Sequence, residues 1–231
     1  MSKYKHLFFD LDRTLWDFET SARQTFEEMY QNFDLQKLGV TSYKDFTKKY
    51  KEHNDLLWTF YRKGKIKKEV LSVRRFEMTL DEFGIDNYEL AQELGRFYIT
   101  ESPLKVNLFP YTHEVLNYLR QKYHLHMITN GFEEVQQTKI DQADLRKYFR
   151  EIITSEEAGV KKPEKGIFRF AFEKTGTSAD EALMIGDDLE VDIKGAQSVG
   201  MDQMFVNYNG IVHQNNISYE VASLKEIEEI L

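Results

Sequence analysis

His6-Leu7-Phe8-Phe9-Asp10-Leu11-Asp12-Arg13-Thr14-Leu15 is the stretch on which the fold turns. Four mostly apolar residues run straight into a carboxylate. A second carboxylate follows two residues on, and a hydroxyl two after that. A short apolar run of this kind reads as a buried strand of a parallel sheet. Asp10 then stands at the carboxyl end of that strand, where open α/β sheets place their ligands. Residues two apart in extended backbone share a face, so Asp10 and Asp12 lie together. Two carboxylates that close repel, and the relief is a divalent cation or a raised pKa on one of them. One loop would thus supply a nucleophile, a proton donor and acceptor, and a metal site. The competing reading is an ordinary polar strand-end loop in which Thr14 caps the next element.

The 231 residues, 41% hydrophobic and 14% aromatic, suffice for one large domain or two small ones with a real core. The absence of cysteine excludes disulfides, thiolate nucleophiles and cysteine metal sites. A net charge of −8 argues against a nucleic-acid polymer as partner, which needs a basic footprint. A small anionic metabolite is compatible with it, because one local cluster of cations and a metal can hold such a ligand. Met1-Ser2-Lys3-Tyr4-Lys5 leads into only a short apolar run, so neither a signal peptide nor a membrane partner is expected. The expected location is the cytoplasm.

Downstream, the pattern is helical from about residue 16 to residue 103. Ala22, Phe26, Met29 and Phe33 share one face at helical spacing. Tyr43, Phe46, Tyr50, Leu57 and Tyr61 form a second stripe, capped by Thr41 or Ser42. Leu71, Phe76, Leu80 and Phe83 form a third, with Gly84 as a stop. Leu90, Leu94 and Phe97 form a fourth, ending before Pro103. Four consecutive helices with short links predict a small bundle. After Pro103 strands and helices alternate, the signature of a parallel sheet covered on both faces. The strand at residues 6–9 belongs to that sheet. The expected architecture is therefore an α/β, Rossmann-like parallel-sheet core, residues 1–15 and 104–231. A four-helix domain, residues 16–103, is inserted after its first strand.

Three further clusters fall at predicted strand ends. Ile128-Thr129-Asn130-Gly131 offers a hydroxyl and backbone N–H donors to a phosphate oxygen. In Gly159-Val160-Lys161-Lys162-Pro163 the proline keeps Lys162 extended and aims its ammonium. A lysine so aimed could neutralise a phosphoryl group and the nucleophile together. Met184-Ile185-Gly186-Asp187-Asp188-Leu189-Glu190-Val191-Asp192 opens a helix with more carboxylates than its dipole requires, and oxygen ligands of this kind suit Mg²⁺. Singly each has an ordinary explanation: an Asn-Gly turn, a solvated lysine, an acidic helix start. All lie at carboxyl ends of strands in one predicted sheet.

With these clusters in this order, the chain resembles the haloacid dehalogenase superfamily of phosphohydrolases over nearly its whole length. Asp10-Leu11-Asp12-Arg13-Thr14 matches the first motif and Thr129 the second. Lys162 before proline matches the third, and Gly186-Asp187-Asp188 with Asp192 the fourth. The inserted helices resemble the C1 cap of that superfamily. The resemblance implies an aspartyl-phosphate formed on Asp10, with Asp12 protonating the leaving oxygen and then activating water. It implies Mg²⁺ held by Asp10, the backbone carbonyl of Asp12, and Asp187, with Asp188 and Asp192 acting through waters or orienting Lys162. Thr129, Asn130, Gly131 and Lys162 would bind phosphoryl oxygens.

The implied enzyme is a Mg²⁺-dependent phosphomonoesterase. A dehalogenase of the same superfamily needs neither Asp12 nor the Asp187 cluster. A phosphomutase would need a cap that excludes water. A phosphoacceptor regulatory domain is shorter, lacks the inserted helices and places its acceptor mid-chain. A silent binding module would not need chemistry at all four motifs. For substrate, residues 10–18, 57–64 and 74–76 resemble the branch of 5′-nucleotidases that act on pyrimidine nucleoside monophosphates. Sialic-acid-9-phosphate phosphatases share much of that pattern. Trp16, Phe18 and Trp58 are candidates to stack on a base, against the alternative that they are core of the bundle.

Overall fold

The opening apolar run forms β1 (His6–Phe9), in which Leu7, Phe8 and Phe9 are fully buried. The computed structural model describes residues 3–231. Leu7 and Phe9 belong to one apolar cluster and Phe8 to another, so β1 is covered on both faces. A strand buried on both faces cannot alternate with polar residues, which is why its sequence is a continuous apolar run. Five strands join it: β2 (His124–Thr129), β3 (Glu151–Thr154), β4 (Ala182–Gly186), β5 (Asp202–Val206) and β6 (Tyr219–Val221). All pair in parallel, in the order β3-β2-β1-β4-β5-β6, giving the α/β core expected. The chain steps outward one way through β2 and β3, then the other way through β4 to β6. The carboxyl end of β1 is thus the point where strand order reverses, the position at which open α/β sheets bind their ligands.

The chain divides into two compact units. One runs from Glu19 to Lys105, and the other holds the chain up to Phe18 and from Val106 to Leu231. The divisions fall beyond the expected 15/16 and 103/104, because the two crossings pair with each other. Trp16 bridges Leu108, Asp17 N–H donates to the Asn107 carbonyl at 2.9 Å, and Phe109 N–H donates to the Leu15 carbonyl at 2.9 Å. That pairing keeps residues 16–18 with the sheet.

The helical unit is built from α1 (Phe18–Asn32), α2 (Tyr43–Arg62), α3 (Lys68–Asp81) and α4 (Tyr88–Glu101). Ser42 accepts from Asp45 N–H at 3.2 Å and caps α2, and Asn87 caps α4 through Leu90 N–H at 3.0 Å. Phe26 centres the apolar interior, 4.5 Å from the Tyr50 ring and 5.2 Å from the Tyr98 ring. On α4 it is Tyr98, not Phe97, that is buried; Phe97 meets Phe33 edge-on at 5.4 Å on a half-exposed flank. Among the described residues no helix is long and apolar enough to cross a membrane.

The sheet is flanked by α5 (Thr112–Leu119), α6 (Glu133–Gln142), the short α7 (Ser155–Ala158), α8 (Lys165–Thr175), α9 (Lys194–Gln197) and α10 (Ile227–Ile230). The helix expected over about 190–199 begins as a wide π turn, Leu189–Ile193, before α9. The Asp188 carboxylate accepts from Glu190 and Val191 N–H at 2.9 and 3.0 Å. Its carbonyl accepts from Asp192 and Ile193 N–H at 2.9 and 3.2 Å. One residue thus satisfies the donors of the whole first turn and widens it, as π turns beside functional sites do.

At the amino end of the sheet, His6, His124 and His126 meet on adjacent strands. His6 Nδ1 and His126 Nε2 share a hydrogen bond of 3.0 Å, and the His126 ring stacks on Phe8 at 4.9 Å. Burial lowers all three pKa values, that of His126 to about 3. The folded chain therefore keeps these rings neutral where the unfolded chain would protonate them. Stability is full above about pH 6.5 and falls as the pH drops toward 3, by up to ~1.4 kcal/mol per unit for one such group. Urea unfolding should give a stability about 1–2 kcal/mol lower at pH 5 than at pH 7.5, and His126→Phe should flatten that slope. An equal slope in the variant would assign the acid sensitivity elsewhere.

Candidate active site

Asp10 directly follows β1, and its N–H donates to the Ile185 carbonyl of β4 at 2.9 Å. Its Oδ1 accepts from Lys162 Nζ at 2.5 Å, and the same ammonium donates to Asp192 Oδ1 at 2.7 Å. Lys162 and Asp192 are each 1% exposed, so the cation sits between two carboxylates away from bulk water. Burial alone would lower the lysine's pKa, but Asp10 and Asp192 outweigh it and hold the ammonium protonated. Burial pushes Asp10 up to about 7; Lys162 opposes the rise and Asp192 adds to it. Lys162 is fixed less by its proline than by Asn130. The Asn130 amide accepts from Lys162 N–H at 2.8 Å and donates to the Lys162 carbonyl at 2.8 Å. The amide oxygen and one of the two amide N–H donors are thus engaged with the lysine's backbone, and Asn130 holds Lys162 in place.

Asp187 follows β4. Thr14 Oγ1 donates to Asp187 Oδ1 at 3.2 Å from a turn made by three N–H groups, of Thr14, Leu15 and Trp16, that all donate to the Leu11 carbonyl. In turn, Tyr208 O–H donates to the Thr14 carbonyl at 2.8 Å. Burial, then the charges of Asp192 and Asp10, raise Asp187 to about 8. One carboxylate oxygen from each of Asp10, Asp187 and Asp192 lies within 4.8 Å of the others. Three carboxylates that close, Asp10 and Asp192 buried and Asp187 half-buried, are disfavoured as anions, and a divalent cation is what restores them. The donor set thus fits a hard oxygen-seeking ion such as Mg²⁺. Within the set, Asp192 is the most committed: Oδ1 accepts from Lys162, and Oδ2 accepts from Asp188 N–H at 3.1 Å. Asp10 and Asp187 keep more open capacity. Asp188 spends one carboxylate oxygen on capping the π turn. Gly186 is needed here, since a Cβ at this position would lie 2.4 Å from Asp192 Oδ2.

Thr129 ends β2 beside β1. Its Oγ1 accepts from Gly131 N–H at 3.2 Å and from Gln136 Nε2 at 2.7 Å. With both lone pairs used, its own O–H remains as a donor, which is what an anion's oxygen requires. Gly131 therefore serves by turning its N–H onto Thr129, where a phosphoryl contact had been expected. A Cβ on Gly131 would meet the Gln136 side chain at 2.4 Å.

Gln136 and Lys139 are two site residues that the sequence pattern does not reveal. They lie three apart on α6, fully buried and 4% exposed. Gln136 Nε2 also donates to Asp12 Oδ2 at 3.0 Å, and Lys139 Nζ donates to Asp12 Oδ1 at 2.5 Å. A faint signal exists: α6 carries only Val135 and Ile140 as large apolar residues, so its inward side must bury polar ones.

The candidate stacking aromatics part company. Trp16 is fully buried in the sheet unit's apolar cluster, with Lys139 Nζ 5.4 Å from its ring, so no face is left for a base. Phe18 is half-buried, under the Arg13 guanidinium at 4.4 Å and 5.5 Å from Lys139 Nζ. Trp58 lies half-buried on α2, edge-on to Tyr61 at 5.5 Å.

The chain is similar in sequence and architecture to known proteins. The Escherichia coli (strain K12) pyrimidine 5′-nucleotidase YjjG is 30% identical over 99% of this chain and 98% of its own. Human N-acylneuraminate-9-phosphatase is 27% identical over 100% and 95%. A crystal structure of the HAD-hydrolase YfnB from Bacillus subtilis, bound to magnesium, superposes with a TM-score of 0.89 at 27% identity over 99% of both chains. The family model for haloacid dehalogenase-like hydrolases matches residues 4–200, which contain every motif described above. This chain belongs to the haloacid dehalogenase-like hydrolases.

Proposed function

We propose that this hydrolase is a Mg²⁺-dependent phosphomonoesterase that works through an aspartyl-phosphate on Asp10 and takes pyrimidine nucleoside 5′-monophosphates. The observation that carries the reading is the Lys162 ammonium held at 2.5 Å from Asp10, with Thr129 at the end of the neighbouring strand. A carboxylate cannot approach a phosphate dianion unless positive charge and donors screen both. Lys162 supplies the charge and Thr129 an O–H donor. Asp10 and Asp187 would hold Mg²⁺, with Asp192 behind them. Bound there, the ion screens the phosphoryl charge and lowers the repulsion among the carboxylates.

Asp10 attacks phosphorus, forming an O–P bond as the ester P–O bond breaks. Asp12 enters this step protonated and gives its proton to the leaving oxygen, and the carboxylate so formed is the state that accepts from Lys139 and Gln136. Asp12 then accepts a proton from water as the water attacks phosphorus and the P–O bond to Asp10 breaks. Asp10 and inorganic phosphate are regenerated. Asp12 has the accessibility this needs, with 23% of its side chain exposed beside a nearly buried Lys139. The nucleotide assignment rests on the full-length likeness to a pyrimidine 5′-nucleotidase. The likeness to an N-acylneuraminate-9-phosphatase supports a sugar phosphate as the second reading.

A panel of nucleoside monophosphates and sugar phosphates, assayed with Mg²⁺ and with a chelator, tests it. The expected result is turnover of UMP and dUMP above purine nucleotides and sugar phosphates. Chelation should lower the rate by at least about 10²-fold, the scale of lost charge stabilisation. A metal-independent rate, or sugar phosphates ranked first, would overturn the corresponding half.

A further inference from the structure

Asp12 is held by two donors from one helix. Its Oδ1 accepts from Lys139 and its Oδ2 from Gln136, at 2.5 and 3.0 Å. Both donors are almost wholly buried, while Asp12 is the partly open member of the three. The Lys139 ammonium is fixed on its other sides by the rings of Trp16 and Phe18, 5.4 and 5.5 Å away. An ammonium in such a cage cannot swing out to solvent, so the carboxylate bonded to it cannot rotate freely either. Gln136 adds a second constraint, because its Nε2 also donates to Thr129 Oγ1 at 2.7 Å. One amide group therefore sets the distance between the hydroxyl at the phosphate pocket and the carboxylate proposed to move the proton.

We propose that Lys139 is a positioning residue, acting with Gln136 to fix the Asp12 carboxylate toward the leaving-group oxygen. The proposal rests on Asp12 being the proton donor of the reaction. It also assigns the buried Trp16 a role: its ring is a wall of the cage that keeps Lys139 in place.

Positioning matters in proportion to how much the leaving group needs a proton. A nucleoside alkoxide needs one and p-nitrophenolate does not. The kcat/KM, which reports formation of the covalent intermediate, should therefore separate the two esters. Folded Lys139→Met, checked by circular dichroism, should lose about 10- to 100-fold in kcat/KM for UMP, within the range of general-acid catalysis. Its loss with p-nitrophenyl phosphate should stay below about threefold, and inhibition by inorganic phosphate should be unchanged. Lys139→Arg should restore the ratio of the two substrates, and Asp12→Ala/Lys139→Met should lose no more than Asp12→Ala alone.

An equal loss on both esters in Lys139→Met, or weakened phosphate inhibition, would make Lys139 a general structural or phosphate-binding group and overturn the proposal. If Lys139→Met does not fold, Lys139→Gln, one atom shorter, keeps a donor without the charge and is read by the same ratio. Asp12→Ala separates the two layers. If it does not itself show the selective loss, the reading of Asp12 as proton donor fails. If it does and the Lys139 variants do not, only the positioning role fails.

Discussion

Asp10→Asn is expected to lower kcat by at least about 10³-fold toward every phosphate ester while leaving the protein folded. Asparagine keeps the size and planarity of the side chain and removes the nucleophilic charge. The Lys162 ammonium retains Asp192 as a partner at 2.7 Å, so the cation is not stranded. Stability should move the other way from activity. Burial raises Asp10 to about 7, so in the metal-free protein its ionised form opposes folding as the pH climbs from the ordinary carboxylate value toward 7. Removing that charge beside Asp187 and Asp192 should leave the Tm of metal-free protein at pH 8 equal or higher. Thermal unfolding and steady-state rates on one preparation check both. A variant that loses activity together with its fold would say nothing of a nucleophile. A folded variant with more than a few per cent of parent turnover would contradict the assignment of Asp10.

Lys162→Met is expected to fail on both counts. It removes a buried cation from between two buried carboxylates, and breaking such a pair by deleting one partner destabilises by about 3–5 kcal/mol. The same substitution removes the charge that lets Asp10 approach a phosphate dianion, so kcat/KM should fall by at least about 10³-fold. The two effects can be separated. Asp192→Asn placed on Lys162→Met removes one of the stranded charges, and should recover part of the lost stability and none of the lost rate. Recovery of activity in the double variant would mean that Lys162 serves the fold and not the reaction. Denaturant unfolding of the single and double variants, with rates measured alongside, decides the matter.

The ease with which these residues are found in the sequence follows their position on the chain. Asp10, Thr129 and Asp187 stand where an apolar strand stops, and the stop is visible because β1, β2 and β4 are buried on both faces. Lys162 is visible through the proline that follows it, yet what holds it is Asn130, 32 residues earlier. That clamp depends on two loops at adjacent strand ends, which no local pattern encodes. Gln136 and Lys139 are hidden for a different reason. Polar residues three apart on a helix are ordinary on a solvated face, and only the packing of α6 on the sheet turns that face inward. Trp16 misleads in the opposite sense: an aromatic after the first motif suggests a substrate contact, but the pairing of Trp16 with Leu108 draws it into the core. The π turn at Leu189–Ile193 is equally invisible, because its width comes from Ile193 N–H reaching the Asp188 carbonyl five residues back while the Asp188 carboxylate caps two further N–H groups.

The stereochemical course at phosphorus tests the covalent step most directly. A nucleoside thiophosphate made chiral with oxygen isotopes, hydrolysed in isotopically labelled water, yields thiophosphate whose configuration can be read. Two in-line displacements, first by Asp10 and then by water, give retention, and retention is the expected result. Inversion would mean that water attacks the ester in a single displacement, and Asp10 would not be a nucleophile.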